Sequence, residues 1–202
     1  TASGTPDSYM HPDYKSATYD NDKNKDTPEV AWPETYKRYA TSVRRIDDAV
    51  GDIFKLLEDL NIDENTLVVF ASDNGPSKES YLPKGYVENT PDFFNSFGPF
   101  DGIKRDVLEG GLRTPLIVRW PAKVARNRVV ESPSIFYDWL PTFTEAAGLI
   151  PPANTDGTSL IPALTGLGKQ QESIVYVEYF QGGITPGYKE FAKKNQNRQR
   201  GQ

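Results

Sequence analysis

A long amphipathic helix followed at once by a short apolar run constrains the fold of this chain more than any other feature. Pro33 suits a first helical turn, because its missing N–H needs no partner there. Apolar side chains then recur at alternating steps of three and four residues, at Tyr36, Tyr39, Val43, Ile46, Val50, Ile53, Leu57 and Leu60. The spacing predicts one apolar stripe and favours a helix packed on a sheet, although a coiled-coil seam has the same period.

The apolar run at residues 66–71 predicts a strand buried on both faces, as in a parallel sheet. We expect Asn61 to end the preceding helix in a left-handed conformation. A long helix that leads into a buried strand is half of a βαβ unit, so the fold class is predicted to be α/β.

Three further elements are predicted downstream. A second strand is expected to begin at or after Pro115, because proline interrupts a ladder of hydrogen bonds. A second helix is predicted over residues 134–147, with a kink or a start at Asp138 because of Pro141. A third strand is predicted over residues 173–180. Residues 1–33 are polar and predict an irregular surface segment.

Composition excludes several kinds of site. The 202 residues include no Cys and one His, His11, which rules out thiolate metal sites and zinc sites built on several imidazoles. The formal charge of −5 argues against nonspecific binding of nucleic acid. No apolar stretch approaches the ~20 residues that cross a bilayer, and no leader sequence is visible before residue 30.

Asp73 and Asn74 follow the first predicted strand, where ligands collect at the carboxyl ends of a parallel sheet. A carboxylate and an amide carbonyl are hard oxygen donors suited to Ca²⁺ or Mg²⁺. Two such oxygens cannot fill a Ca²⁺ shell, so other ligands would be required. An ordinary turn at Asp-Asn-Gly is the alternative interpretation.

Lys104 is the candidate cation for an anionic substrate. A lysine in a cleft binds an anion as a point charge and can donate a proton to a leaving oxygen. The alternative is a solvated side chain. Gly110 and Gly111, which follow shortly afterwards, do not have the spacing of a phosphate-binding loop.

Taken together, several sequence blocks resemble the type I sulfatase family of the alkaline-phosphatase-like superfamily, over about residues 36–180. The blocks are RIDDAVG at 45–51, LVVFASDNG at 67–75, GIKR at 102–105, EGGLRTP at 109–115, RWP at 119–121, DWLPT at 138–142 and TDG at 155–157. The segment FFNS at 93–96 is similar to the bacterial aryl and glycan sulfatase branch.

The resemblance implies part of an alkaline-phosphatase-like sandwich, a mostly parallel sheet flanked by helices and truncated at both ends. It implies hydrolysis of an aryl or carbohydrate sulfate ester, with Asp73 and Asn74 as Ca²⁺ ligands (Mg²⁺ is the other option) and Lys104 as a catalytic residue. Its partner would be a sulfated small molecule or glycan, and its location periplasmic or secreted. Residues 34–170 would form the C-terminal half of the main domain, and 171–202 the start of a small subdomain.

The sequence departs from the family at the nucleophile. The family uses a formylglycine made in a Cys/Ser-x-Pro-x-Arg motif, which these residues lack. Formylglycine is therefore expected in the N-terminal half, and the chain alone is predicted to be inactive. His11 stays unassigned, and Lys78, Glu79 and Tyr81 are candidates for specificity. Two alternatives are a phosphodiesterase or phosphatase of the same superfamily, and a non-catalytic module that binds a partner through the long helix.

Overall fold

The computed structural model describes residues 8–78 and 84–179, which fall into two compact units. The first unit contains the described residues up to Leu56, those of Asp73–Thr114, and Tyr179. The second contains Leu57–Ser72 and Pro115–Glu178. Glu79, Tyr81 and Phe180, which carried sequence predictions, lie outside the described residues. The three-part division predicted from the sequence stays a prediction.

The first unit begins with a short helix and a hairpin. Helix α1 spans Pro12–Lys15, and the two-residue strands β1 (Thr18–Tyr19) and β2 (Val30–Ala31) pair antiparallel. The prediction of an irregular segment is therefore wrong for this part of residues 8–33. Tyr14 and Trp32 explain the difference, since their rings stack at 6.1 Å and join the two ends of the segment.

Helix α2 spans Glu34–Asp59 and starts directly after Pro33, as predicted. Asn61 follows it with φ 54°, the left-handed conformation expected from the sequence. The buried residues of α2 all lie in its first third, at Thr35, Tyr36, Lys37, Arg38 and Thr41.

The predicted packing of the whole α2 stripe on a sheet is not observed. Val43, Ile46 and Ile53 are each about half exposed in the described structure. The strands described here are too short to cover such a stripe, because a pair of four-residue strands offers far less apolar surface than a helix of 26 residues. The periodicity was correct, but the expected covering layer is absent from residues 8–78 and 84–179.

The aromatic loop that follows residue 84 is packed through its phenylalanines. Phe93 stacks on Tyr36 with ring centroids 3.7 Å apart, and Phe94 lies edge-on to Trp32 at 5.2 Å. The loop leads to the short helix α3, Glu109–Leu112, which contains two buried glycines.

In the second unit, β3 (Val68–Ala71) pairs with β4 (Leu116–Arg119). The pairing is antiparallel, in a register that places Val69 opposite Val118. The described strands therefore do not form the mostly parallel sheet predicted from the sequence, because the connection between them returns the chain in the opposite direction. Burial on both faces is also wrong: Phe70 is 38% exposed, since a two-stranded ladder leaves much of its surface open.

The helices of the second unit enclose its apolar cluster. A 3₁₀ turn at Phe136–Asp138 leads into α4, Trp139–Ala146, so the helix starts where Pro141 predicted. Pro141 is tolerated because the first N–H groups of a helix have no internal partner. Helix α5 spans Ile161–Thr165. The cluster comprises Trp139, Leu160 and Leu164, with Val69, Val118 and Val124 packed against it.

The predicted third strand does not form over residues 173–179. Its backbone bonds instead to a side chain: the Tyr137 hydroxyl donates to the Ile174 carbonyl and accepts from the Tyr176 N–H. In the part of the chain that the structure describes, no helix has both the length and the apolar character needed to cross a membrane.

Candidate functional site

Asp73 and Asn74 lie directly after β3, separated from it by Ser72 alone. The Asp73 side chain is exposed and Asn74 is half-buried. The Asn74 amide Nδ2 donates to the Gly75 carbonyl at 2.9 Å. Because this bond uses the amide nitrogen, it does not compete with a cation for the amide oxygen. The two predicted ligands therefore lie next to each other in one turn.

Close contacts among Gly75, Gly110 and Gly111, which we call the glycine joint, anchor this turn. The buried Gly75 N–H donates to the Gly111 carbonyl at 2.8 Å, and a Cβ on Gly75 would overlap the Gly110 carbonyl oxygen. Added Cβ atoms on Gly110 and Gly111 would likewise collide with backbone carbonyls. Close approach of two backbones is a standard use of glycine. These glycines thus have a packing role, which agrees with the absence of a phosphate-loop spacing.

Lys104 lies on a tight turn that several bonds hold in place. The Ile103 N–H donates to the buried Asp106 carboxylate at 2.9 Å, and the Asp106 N–H returns a 2.9 Å bond to the Ile103 carbonyl. Ile103 is 1% exposed and anchors the turn in the interior of the unit. The side chain of Lys104 is half-buried.

One hydrogen bond joins the lysine turn to the Asp73–Asn74 turn. The Lys104 N–H donates to the Pro76 carbonyl at 2.9 Å, two residues after Asn74. A second hydrogen bond, from the Gly110 N–H to the Asp101 carbonyl at 2.7 Å, joins the residues before Lys104 to the glycines that contact Gly75. The structure therefore brings together the backbone segments of all three sequence-predicted site residues, although they are up to 31 positions apart in the sequence.

The donor set fits part of a site for a hard cation. Asp73 supplies a carboxylate and Asn74 an amide oxygen, both of which suit Ca²⁺. No group of three or more His, Asp or Glu side chains placed to hold a metal occurs among residues 8–78 and 84–179. A Ca²⁺ shell takes six to eight oxygens, so these two residues would supply a minority of it.

The structure also contains a cavity that the sequence did not predict. Its volume is about 260 Å³, and it lies between the first half of α2 and residues 76–77 and 86–96. Tyr39, Tyr86 and Phe94 provide aromatic walls, and Asn89 and Ser77 provide polar ones. The aromatic content of the loop was visible in the sequence, but its pairing with α2 across more than 40 positions was not.

His11 has a structural role in this chain. It precedes α1 as the N-cap, and its Nδ1 accepts from the Asp13 N–H at 3.3 Å. Its ring lies edge-on to Tyr9 at 6.4 Å and is tilted against Tyr14 at 5.7 Å. The sequence left this residue unassigned, and the geometry identifies a helix cap.

Comparison with curated proteins identifies mammalian relatives. Canine N-acetylgalactosamine-6-sulfatase is 40% identical over 131 residues, which are 64% of this chain and 23% of that protein. Mouse steryl-sulfatase is 35% identical over 147 residues, which are 72% of this chain and 23% of that protein. The chain thus spans about a quarter of the length of these relatives.

Solved structures give a consistent result. One whose title concerns glycosaminoglycan metabolism by Bacteroides thetaiotaomicron matches with a TM-score of 0.50 and 27% identity, over 66% of this chain and 27% of that one. The structure of Ps i-CgsB matches with a TM-score of 0.51 and 32% identity, over 71% and 28%. These matches confirm the predicted α/β class.

A family model described as Sulfatase matches residues 6–149, which is well over half of the chain and includes Asp73, Asn74 and Lys104. The match confirms the resemblance that the sequence blocks indicated. The chain belongs to the sulfatase family.

Proposed function

We propose that this chain is part of a sulfatase that hydrolyses aryl or carbohydrate sulfate esters with the assistance of Ca²⁺. The family match spans all three candidate site residues, and relatives of the same family are named for hydrolysis at a sulfated N-acetylgalactosamine and at a sterol sulfate. The substrate would be a sulfated glycan or a sulfated small molecule.

The candidate residues have two different roles, which follow from the charges of their side chains. Asp73 and Asn74 would hold Ca²⁺, with Mg²⁺ as the alternative ion, and that ion would supply positive charge for the sulfuryl oxygens. The Lys104 ammonium contacts the sulfate as a point charge and donates a proton to the leaving oxygen. Both effects are strongest where charge develops in the transition state.

The observation that carries this proposal is the 2.9 Å bond from the Lys104 N–H to the Pro76 carbonyl. It fixes the lysine turn to the segment that bears Asp73 and Asn74, and the glycine joint holds that segment from the other side. Turns connected in this way would position a cation and two oxygen ligands before substrate arrives, which is the requirement for electrostatic catalysis.

The nucleophile is proposed to come from a formylglycine outside these residues, because no Cys and no Ser-x-Pro-x-Arg occurs among the 202. The chain by itself is then inactive. We place the parent protein in the periplasm or outside the cell, in line with the exported members of the family.

The test uses the full-length sulfatase that contains this chain. Lys104→Ala should lower kcat for 4-nitrophenyl sulfate by about 100-fold or more, the usual cost of removing one transition-state charge contact. Lys123→Ala, at an exposed lysine, is the matched control and should leave kcat unchanged. Equal activity of both variants would contradict the assignment, and faster turnover of 4-nitrophenyl phosphate would favour the phosphatase alternative.

The exposed stripe of α2 supports a second candidate, a module that binds a partner through this helix. Val43, Ile46 and Ile53 present a continuous apolar face that is half exposed in the described structure. Sedimentation of the chain, compared with Val50→Asp, tests this: self-association that the substitution abolishes, while the monomer stays folded, would support it. A chain that is monomeric in both forms would give no support to self-association.

A further inference from the structure

We propose that the cavity between α2 and residues 76–77 and 86–96 binds a single pyranose ring, the sugar that carries or neighbours the sulfate ester. The link to sulfate rests on the proposed function, whereas the residues that line the cavity indicate a sugar. Aromatic side chains and polar side chains line the same space there.

The size of the cavity selects a small ring. Its volume of about 260 Å³ lies just below the range of roughly 300–1,000 Å³ typical of sites for small molecules. One six-membered ring with its substituents suits this volume, whereas an oligosaccharide or a fused tetracyclic ring system would extend beyond it.

The walls combine aromatic and polar chemistry in the way a sugar requires. Tyr39, Tyr86 and Phe94 line the cavity with aromatic carbon, a surface that suits the C–H groups of a pyranose, and Tyr39 and Phe94 are stacked on each other at 5.8 Å. Asn89, Ser77 and the exposed Ser96 add amide and hydroxyl groups at the same cavity. Convergent polar groups among aromatic walls are the usual composition of a site for a small polar molecule.

The polar side chains that line the cavity differ in whether they already form hydrogen bonds within the protein. The Thr35 hydroxyl donates to the Val87 carbonyl at 2.7 Å, and the Ser42 hydroxyl donates to the Arg38 carbonyl at 3.0 Å. By contrast, the side chains of Asn89 and Ser77 form no hydrogen bond within residues 8–78 and 84–179. Donors and acceptors left over in a partly buried cavity favour a ligand rich in hydroxyls over an apolar one, which would leave them unpaired.

The cavity is held open by contacts that do not depend on a ligand. Tyr36 stacks on Phe93 at 3.7 Å and donates to the Glu88 carbonyl at 3.2 Å, which ties the loop to α2. The Ser96 N–H donates to the Pro91 carbonyl at 2.9 Å and closes the loop on itself. Binding in a preformed cavity costs less conformational entropy than binding that must first order the loop.

The cavity also shares a wall with the candidate catalytic site. Pro76 lines the cavity and accepts the 2.9 Å hydrogen bond from the Lys104 N–H. A ring held in the cavity would therefore lie beside the segment that runs from Asn74 to Ser77. This placement suits the alcohol part of a sulfate ester whose sulfate contacts Lys104.

The test is a titration of the ¹⁵N-labelled chain, followed by backbone amide chemical shifts. Methyl β-D-galactopyranoside and methyl β-D-glucopyranoside are the probes, and cyclohexanol is the matched ring without the extra hydroxyls. We expect at least one pyranoside to shift the amides of Ser77, Asn89 and Thr90, with cyclohexanol at least about fivefold weaker, as the loss of one or more hydrogen bonds would give.

Two variants and a control locate the binding. Asn89→Ala and Ser77→Ala should each weaken the pyranoside about five- to tenfold, whereas Asn21→Ala, at an exposed asparagine outside the cavity, should not. The amide spectrum itself reports whether each variant is folded. No shift with either pyranoside, or equal shifts with cyclohexanol, would overturn the proposal. Because the probes carry no sulfate, that outcome would leave the Lys104 test of the proposed function standing.

Discussion

The two ends of α2 carry the same apolar periodicity and have opposite environments. Near the start, Tyr36 is 7% exposed and Thr41 is fully buried, whereas Ile46 and Ile53 farther along are 51% and 53% exposed. The difference comes from neighbours: the hairpin segment and the aromatic loop pack on the first part alone. An apolar stripe of this kind therefore indicates which face of a helix can be buried. Packing against the rest of the chain determines whether that face is in fact covered.

The largest effect within α2 is expected from Tyr36→Ala. Truncation removes the ring stacked on Phe93 and the hydroxyl that bonds to the Glu88 carbonyl, so the free energy of unfolding should fall by about 3–5 kcal/mol. Urea denaturation followed by circular dichroism gives the value. Ile46→Ala, at the exposed part of the stripe, should cost less than about 1 kcal/mol. Similar losses at both positions would mean that the two parts of α2 are equally packed.

Thr41→Val probes the polar contacts of the packed part. The Thr41 hydroxyl donates to the Lys37 carbonyl at 2.8 Å and accepts from the His11 N–H at 3.2 Å. Valine has the same shape as threonine but leaves the His11 N–H without an acceptor. The free energy of unfolding should therefore fall by about 1–3 kcal/mol. Thr144→Val is the control, because Thr144 makes the same bond to a carbonyl four residues earlier at an exposed place. An equal cost for both would show that the hydrogen bond from the His11 N–H to Thr41 adds no stability.

Gly51→Ala probes the open part of the helix and should be stabilising. A Cβ at Gly51 meets no atom within 4 Å, and alanine favours a helix over glycine by about 0.5–1 kcal/mol. The midpoint of urea denaturation should therefore rise. Gly75→Ala is the counterpart, where the added Cβ overlaps the Gly110 carbonyl and the fold should be disrupted. A fall in stability at Gly51 would reveal a covering layer on this face.

The smallest effect concerns pH and the hairpin loop between β1 and β2. Hydrogen bonds from the Asn24 N–H and the Thr27 hydroxyl lower the pKa of the Asp22 carboxyl below its ordinary value of 3.8. The folded state thus gains stability above that value and loses it as pH falls through the lowered pKa. Carbon-detected NMR titration should show the shift, and Thr27→Val should move the pKa back upward. An unchanged pKa in that variant would contradict the assignment.

Local signals in the sequence predicted several elements correctly. Pro33 marked the start of α2, Asn61 its left-handed end, and Pro141 the start of α4 near Asp138. Each of these is a backbone property of one residue and its immediate neighbours, so it survives whatever packs around it. The adjacency of Asp73 and Asn74 to the end of a strand is local in the same sense.

Pairing was predicted less well. The strand at 68–71 was expected in a parallel sheet, yet its partner β4 runs antiparallel after a connection of more than 40 residues. The predicted strand at 173–180 does not form over its described part, where the Tyr137 hydroxyl takes up backbone bonds. A strand needs a neighbour, and the identity and direction of that neighbour depend on distant residues.

The sequence by itself determined the family, the start and the left-handed end of α2, the start of α4 and the three candidate site residues, because these depend on residue types and on short-range backbone preferences. Tertiary structure alone decided that the Lys104 turn is bonded to Pro76, that glycines join the two segments, and that α2 and the aromatic loop enclose a cavity. Such contacts join residues tens of positions apart. Their formation depends on the summed packing of many side chains, which no local pattern encodes.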